Sequence, residues 1–252
     1  MRLSFFEIES IIATFTEVFG KGKIYLFGSR IDDSKKGGDI DLFLDVDNSD
    51  DINSNKIQFL TKLEEKIGEQ KIDIVFKKND SRLIEQEISK QKVELNMQKI
   101  KLQKYFQECE KHLLRLEQAY GEIKNILPLS HRQYGHLQDE EVKNIDQFLF
   151  RFSKMKDTIG DKIFKIILED YNPDFQKLSF LDFLHELEKR EIIASAQDWI
   201  ILRKVRNNIA HQYDDEPEEM SQAINDIFAQ FITLKQIFEN LKNKYKVKIL
   251  NE

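Results

Sequence analysis

Three aspartates are the first residues in this chain whose type and spacing could do chemistry. In Asp39-Ile-Asp-Leu-Phe-Leu-Asp45 the apolar residues Ile40, Leu42 and Leu44 alternate with acids. An extended segment would therefore turn the apolar set to a core and Asp39 and Asp41 to the opposite face. Two hard carboxylate oxygens side by side suit Mg²⁺. Asp73, flanked by Ile72 and Ile74 in a second alternating run, can join them from a neighbouring strand as a third carboxylate. Upstream, Gly28 and Ser29 follow the apolar run ending at Phe27; glycine permits close backbone approach, and the serine hydroxyl can donate to a phosphate oxygen. Nucleotidyl transfer asks for this combination. A metal offsets charge at the α-phosphate and lowers the pKa of the attacking hydroxyl, while backbone donors hold the leaving pyrophosphate. Asp-x-Asp alone is explained by the polar face of a half-buried sheet; its coincidence with Gly-Ser and Asp73 points to catalysis.

A second constellation lies in Arg206-Asn-Asn-Ile-Ala-His-Gln-Tyr213. At about 100° per residue, Ile201, Leu202, Val205 and Ile209 gather into one stripe, and Arg206, Asn207, His211 and Tyr213 share the face turned away from it. A cation, an imidazole and an amide grouped in this way can bind or cleave a phosphodiester.

The elements that must position these residues differ between the two ends of the chain. Helical periodicity over Phe5–Phe19, strands over 23–27, 39–45 and 71–76, and a helix over 55–67 closed by Gly68 predict a small α/β unit ending near residue 80. From Ser81 onward only helical periodicity is found: to about residue 127, then over 141–168, 180–191, 196–211 and 218–244. Pro128, Pro173 and Pro217 fall between these helices, where proline breaks none. The fold class expected is α+β, a short mixed sheet with helices followed by an all-α bundle, with domains at 1–95 and 96–252. Cys109 reads as a small buried hydrophobe, Phe148, Phe152, Phe228 and Phe231 as bundle core, and His112, His131, His136 and His185 as surface or helix-end residues. Lys35 and Lys36 read as solvated loop lysines, and the lysines from Lys242 onward as a basic helix end.

The 252 residues carry 39 basic and 45 acidic side chains, a net charge of −6, so no global positive field marks a nucleic-acid binder and any RNA contact would be local. No run of about 18 apolar residues occurs, so neither a membrane span nor a signal peptide is expected, and the localisation expected is cytoplasmic.

Gly28-Ser29-Arg30 and Gly38-Asp39-Ile40-Asp41-Leu42, with Asp73 at the third acidic position, resemble the minimal nucleotidyltransferases of the DNA polymerase β superfamily, the MNT group. The resemblance covers about residues 1–95. It implies that Asp39, Asp41 and Asp73 hold Mg²⁺, that Asp73 is the base for the acceptor hydroxyl, that ATP is the donor substrate, and that Arg30 touches a phosphate. The Arg206–Tyr213 run resembles the HEPN helical-bundle family, over about residues 96–245. That likeness implies a homodimer through the helical domain and a metal-independent ribonuclease site, with His211 as acid/base, Arg206 stabilising the phosphate, Asn207 in support and RNA as partner. HEPN and MNT proteins commonly form a toxin–antitoxin pair in which AMP is transferred to the tyrosine of the HEPN motif. Here both resemblances fall in one chain, so the expectation is a nucleotidyltransferase that adenylylates a protein tyrosine, Tyr213, and thereby regulates the ribonuclease site. A small-molecule nucleotidyltransferase of the aminoglycoside-modifying kind, the chief alternative, leaves the Arg206–Tyr213 run unexplained. A catalytically degenerate binding or dimerisation module is the third reading.

Overall fold

In the computed structural model the chain divides into two compact units, one spanning Met1–Lys101 and the other beginning at Leu102. The structure describes all residues except 33, 36, 48–50, 79–81, 173, 212–216 and 246–252, and the side chains of 209–211 also fall outside it.

The first unit opens with α1 (Phe5–Phe19), whose start is set by a reciprocal cap. The Glu7 N–H donates to Ser4 Oγ (3.2 Å) and the Ser4 N–H to Glu7 Oε2 (2.6 Å), which satisfies two donors that the first helical turn leaves open. Strands β1 (Gly22–Phe27) and β2 (Ile40–Val46) pair antiparallel, and β3 (Ile72–Phe76) runs parallel to β2. A parallel pair needs a crossover, and α2 (Ile52–Ile67), ending at Gly68, supplies it. After α3 (Leu83–Lys90) comes β4 (Val93–Glu94), antiparallel to β1, giving the order β3-β2-β1-β4. This fourth strand departs from the sequence reading, in which everything after Ser81 is helical. Two residues offer no period to detect; Val93 and Glu94 are extended because they pair with Leu26 and Tyr25.

Ile24 and Leu26 of β1 and Ile40, Leu42 and Leu44 of β2 share one cluster with Ile8, Ile11 and Phe15 of α1 and Phe59 and Leu63 of α2. Each such side chain contributes about 1.5–3 kcal/mol when fully buried. A one-residue slip of β2 would expose Leu42 and Leu44 and drive Asp41 inward, so the core fixes the register. The other face carries Tyr25, Phe27, Asp41, Phe43 and Asp73. There the Lys92 ammonium lies 4.3 Å and 4.7 Å from the ring centroids of Tyr25 and Phe43.

Within α4 (Met97–Ile123) the residues from Leu102 onward belong to the second unit. It continues through α5 (His131–Tyr134), α6 (Asp139–Thr158), α7 (Phe164–Glu169), α8 (Phe180–Lys189), α9 (Ala196–His211) and α10 (Pro217–Tyr245). The expected bundle core is present: Phe148, Phe152 and Phe231 are buried, and Phe228, partly buried, stacks on Tyr120 with centroids 4.7 Å apart. Cys109 is fully buried, which pushes its thiol pKa far up. The single helix expected over 141–168 is interrupted by a π turn at Ile159–Ile163 between α6 and α7. Its Gly160 lies against Trp199, and a Cβ there would stand 2.8 Å from Trp199 Cζ2. At the end of α10, Lys244 donates to the carbonyls of Arg190 and Glu191, and Lys242 pairs with Glu110. No described helix is long and apolar enough to cross a membrane.

His131, His136 and His185 are exposed as expected, but His112 is not. It sits partly buried between α4 and α6, where its Nδ1 lies 3.2 Å from Arg151 Nη1 and its Nε2 3.9 Å from Glu108. Burial first, then the charges of Arg151, Lys154 and Lys162, lower its pKa against the opposing pull of Glu108. A depressed histidine pKa means that the unfolded chain binds the proton more tightly. The stability tied to neutral His112 is therefore complete above its ordinary value of 6.5 and is lost as the pH falls through the lower folded value. The urea midpoint of the wild type should fall between roughly pH 7.5 and pH 5.5, and His112→Gln should flatten that slope. An unchanged slope in the variant would remove His112 from the account.

Candidate active site

The turn after β1 is built for close packing. Gly28 has φ +72, and a Cβ on it would stand 2.0 Å from Asp41 Oδ2, so only glycine lets this backbone rest on the Asp41 carboxylate. Gly28–Ile31 form a 3₁₀ turn, and the chain returns at Gly37, whose added Cβ would lie 2.3 Å from Ser29 Oγ. Two arginines fasten this loop. Arg2 donates from Nη2 to the Ser29 carbonyl (3.0 Å), from Nη1 to that of Gly37 (3.0 Å) and from Nε to that of Asp32 (3.3 Å). Arg30, expected at a phosphate, is turned elsewhere. Its guanidinium donates to the Gly38 and Arg2 carbonyls, to Gln70 Oε1 (3.2 Å) and to Glu7 Oε1 (3.3 Å). Those partners occupy its donor edges, so Arg30 shapes the loop. Burial pushes the Glu7 carboxyl up, but hydrogen bonds from Ser4 and Gln70 and the Arg30 charge outweigh it and hold the pKa below the ordinary carboxylate range.

Asp41 and Asp73 pair across β2 and β3, and Asp39 stands just before β2. Asp41 is the register partner of Asp73 and, on the other side, of Phe27 at the end of β1. Asp39 precedes β2 by one residue, beside the point where the Ile40 N–H donates to the Lys71 carbonyl (2.9 Å). Burial first, then the charges of Asp73 and Asp39, raise the pKa of Asp41; Lys71 and Arg30 oppose them. The Lys71 ammonium bonds Asp39 and lies 3.6 Å from Asp73, and the bond to Asp39 is the chief reason its own pKa is raised. Among the described residues no three His, Cys, Asp or Glu side chains stand, as placed, close enough to enclose one ion. By chemistry alone the three carboxylates suit a hard divalent cation, but as placed it is Lys71 that spans Asp39 and Asp73.

The second constellation is only partly described. Among the described residues of α9 the buried ones are Ala196, Trp199, Leu202 and Val205. Trp199 and Leu202 bracket the bearing of Arg206 on the helix, so Arg206 does not lie on the face turned away from the core. It turns toward α6, where its Nη2 donates to Asp157 Oδ2 at 2.8 Å, and its Nε is buried without a hydrogen-bond partner. Asn207 is exposed and lines the same cleft as Arg206. The His211 side chain and all of Tyr213 lie outside the described residues, as does Lys36.

Sequence reasoning missed three residues. Arg2 belongs to no motif and could not have been found. Lys71 stands two before Asp73 on an extended run, so strand alternation could have placed it on the acidic face. Asp157 carries no local signal and is defined only by packing of α6 on α9.

A strand, a glycine-serine turn fastened over it, and three carboxylates on the next two strands define the first unit as a nucleotidyltransferase domain. Residues 8–101 match the family model described as "Polymerase beta, Nucleotidyltransferase". No curated protein and no solved structure matches the chain.

Gly28→Ala should strain the backbone by about 1–3 kcal/mol and displace the Asp41 carboxylate. Nucleotidyl transfer is expected to fall by on the order of 10²-fold with a small loss in melting temperature. Full activity in a folded variant would show that the Gly28–Asp41 contact is dispensable. Arg2→Ala, which frees the loop and leaves the carboxylates in place, should raise KM for the nucleotide more than it lowers kcat.

Proposed function

We propose that the chain is a Mg²⁺-dependent nucleotidyltransferase that uses ATP to adenylylate a protein tyrosine, Tyr213 of its own helical part, and in doing so regulates a ribonuclease site. The observation that carries the first half is the direct cross-strand pairing of Asp41 with Asp73, two residues along from Asp39 and beneath Gly28. Asp39, Asp41 and Asp73 would hold Mg²⁺, which when bound supplies charge neutralisation at the α-phosphate. The Gly28–Ser29 backbone and the Ser29 hydroxyl seat the triphosphate. Asp73, the most exposed of the three carboxylates, accepts the proton of the tyrosine hydroxyl. The phenolic oxygen bonds to the α-phosphorus, the bond from that phosphorus to the β-bridging oxygen breaks, and pyrophosphate leaves.

For the second half, the support is the sequence run Arg206-Asn207…His211…Tyr213, whose first residues lie on α9. A HEPN-like domain over 96–252, paired with a second copy through its helices, would cleave RNA with His211 as acid/base, Arg206 on the phosphate and Asn207 in support. AMP on Tyr213 adds bulk and negative charge two residues from His211 and so silences the site. Holding modifier and target in one chain raises their effective concentration, as in a toxin–antitoxin pair made permanent.

Incubated with Mg²⁺ and ATP, the wild type should gain whole AMP units by intact mass, mapped to Tyr213 by peptide fragmentation. Asp39→Ala/Asp41→Ala should lower the rate by at least about 10²–10³-fold, and Tyr213→Phe should take up none. A wild type that gains no AMP, or gains it equally with Tyr213→Phe, overturns the proposal.

A further inference from the structure

A cleft of about 710 Å³ opens in the second unit between the end of α6, the π turn, α8 and α9. Sites for small ligands fall between roughly 300 and 1,000 Å³. Its charges do not cancel. Asp157 is already committed, with Oδ2 to Arg206 at 2.8 Å and Oδ1 to Lys156 at 3.4 Å. Lys165, Arg203 and Asp161 line the same walls and form no ion pair among the described residues, so the four cations of the lining outnumber its two carboxylates. That excess of two positive charges marks a place where an anion would lower the energy.

The aromatic lining narrows the choice of anion. The Arg203 guanidinium sits 4.0 Å from the ring centroid of Phe180, and that ring is 42% exposed. A guanidinium laid flat on a ring keeps its N–H edge free for a phosphate. Trp199 also lines the cleft. The indole packs against Gly160 of the π turn, where a Cβ would stand 2.8 Å from Trp199 Cζ2, so Phe180 is the ring open to a ligand. Cations paired with accessible rings are how proteins grip a nucleotide: the rings take the base, the cations its phosphate.

We infer that this cleft binds a nucleoside 5′-phosphate, with the base packed against Phe180 and the phosphate held by Lys165 and Arg203. The ligand is either a free nucleotide or one residue of a single-stranded RNA. The inference does not need the transfer reaction. It would add to the ribonuclease reading a subsite one helical turn before Arg206, and it stands without that reading.

Trp199 is the single tryptophan of the chain and lines this cleft, so its fluorescence reports binding there. The full chain is titrated without Mg²⁺ with 5′-AMP, a short oligoadenylate and inorganic phosphate. A saturable change with AMP or with the oligoadenylate is expected, at an affinity at least about tenfold above that for phosphate. Tighter binding of AMP assigns the free nucleotide, and tighter binding of the oligoadenylate assigns the strand. Lys165→Ala/Arg203→Ala should weaken binding by about tenfold or more, the loss expected for one or two charge-assisted hydrogen bonds. Phe180→Ala, at the rim and outside the packed core, should weaken nucleotide and leave phosphate unchanged. No response to either nucleotide, phosphate binding as well as AMP, or wild-type affinity in both variants overturns the inference.

Discussion

Asp41 and Leu42 are neighbours on one strand, and the constraint that governs this molecule is that they face opposite ways. Burial of Leu42 and Leu44 beneath α1 and α2 leaves the chain no choice about where Asp41 points, and the parallel pairing of β2 with β3 brings Asp73 directly beside it. Burial first, and then repulsion by Asp73 and Asp39, raise the pKa of the Asp41 carboxyl above its ordinary value. Hydrophobic burial on one face of the sheet thus holds together on the other face an arrangement that electrostatics alone would disperse. Lys71 relieves part of the repulsion, and it does so from the exposed side, where it can be displaced.

The loop above the carboxylates shows the same division between what folds the chain and what is left for a ligand. Arg2 and Arg30 direct donors to carbonyls at Ser29, Asp32, Gly37 and Gly38, while the Gly28 backbone rests on the Asp41 carboxylate. In the second unit the Arg206–Asp157 pair plays the comparable part. It fixes one cation in place, while Lys165 and Arg203 form no ion pair among the described residues.

How much of this could be read beforehand depended on whether the signal was periodic or positional. Strand alternation located Asp39, Asp41 and Asp73 on one face and Leu42 and Leu44 on the other, because a period of two survives tertiary packing wherever one side is buried. Gly28 was legible as a residue type, but its contact with Asp41 comes from the β1–β2 register, which sequence alone does not supply. Arg30 was misplaced since proximity to Gly-Ser says nothing about side-chain direction. Arg206 was turned to the wrong side because the stripe on α9 was drawn from aliphatic residues alone. Trp199, left out of it, carries the buried face around to the bearing of the arginine. β4 escaped notice because two residues are too short for any period.

The π turn at Ile159–Ile163 inserts, in effect, one residue into a continuous helix. Everything after it is rotated by about 100° relative to an uninterrupted helix. Phe164, Ile167 and Leu168 meet the core only with that offset, and Lys165 reaches the cleft by the same displacement. Deleting a single residue from this turn would heal the helix and bring its hydrogen-bond ladder back into phase, yet it would swing the charged side chain out of the cleft and an apolar one into water. The irregular turn is therefore the element of the bundle least open to being made regular.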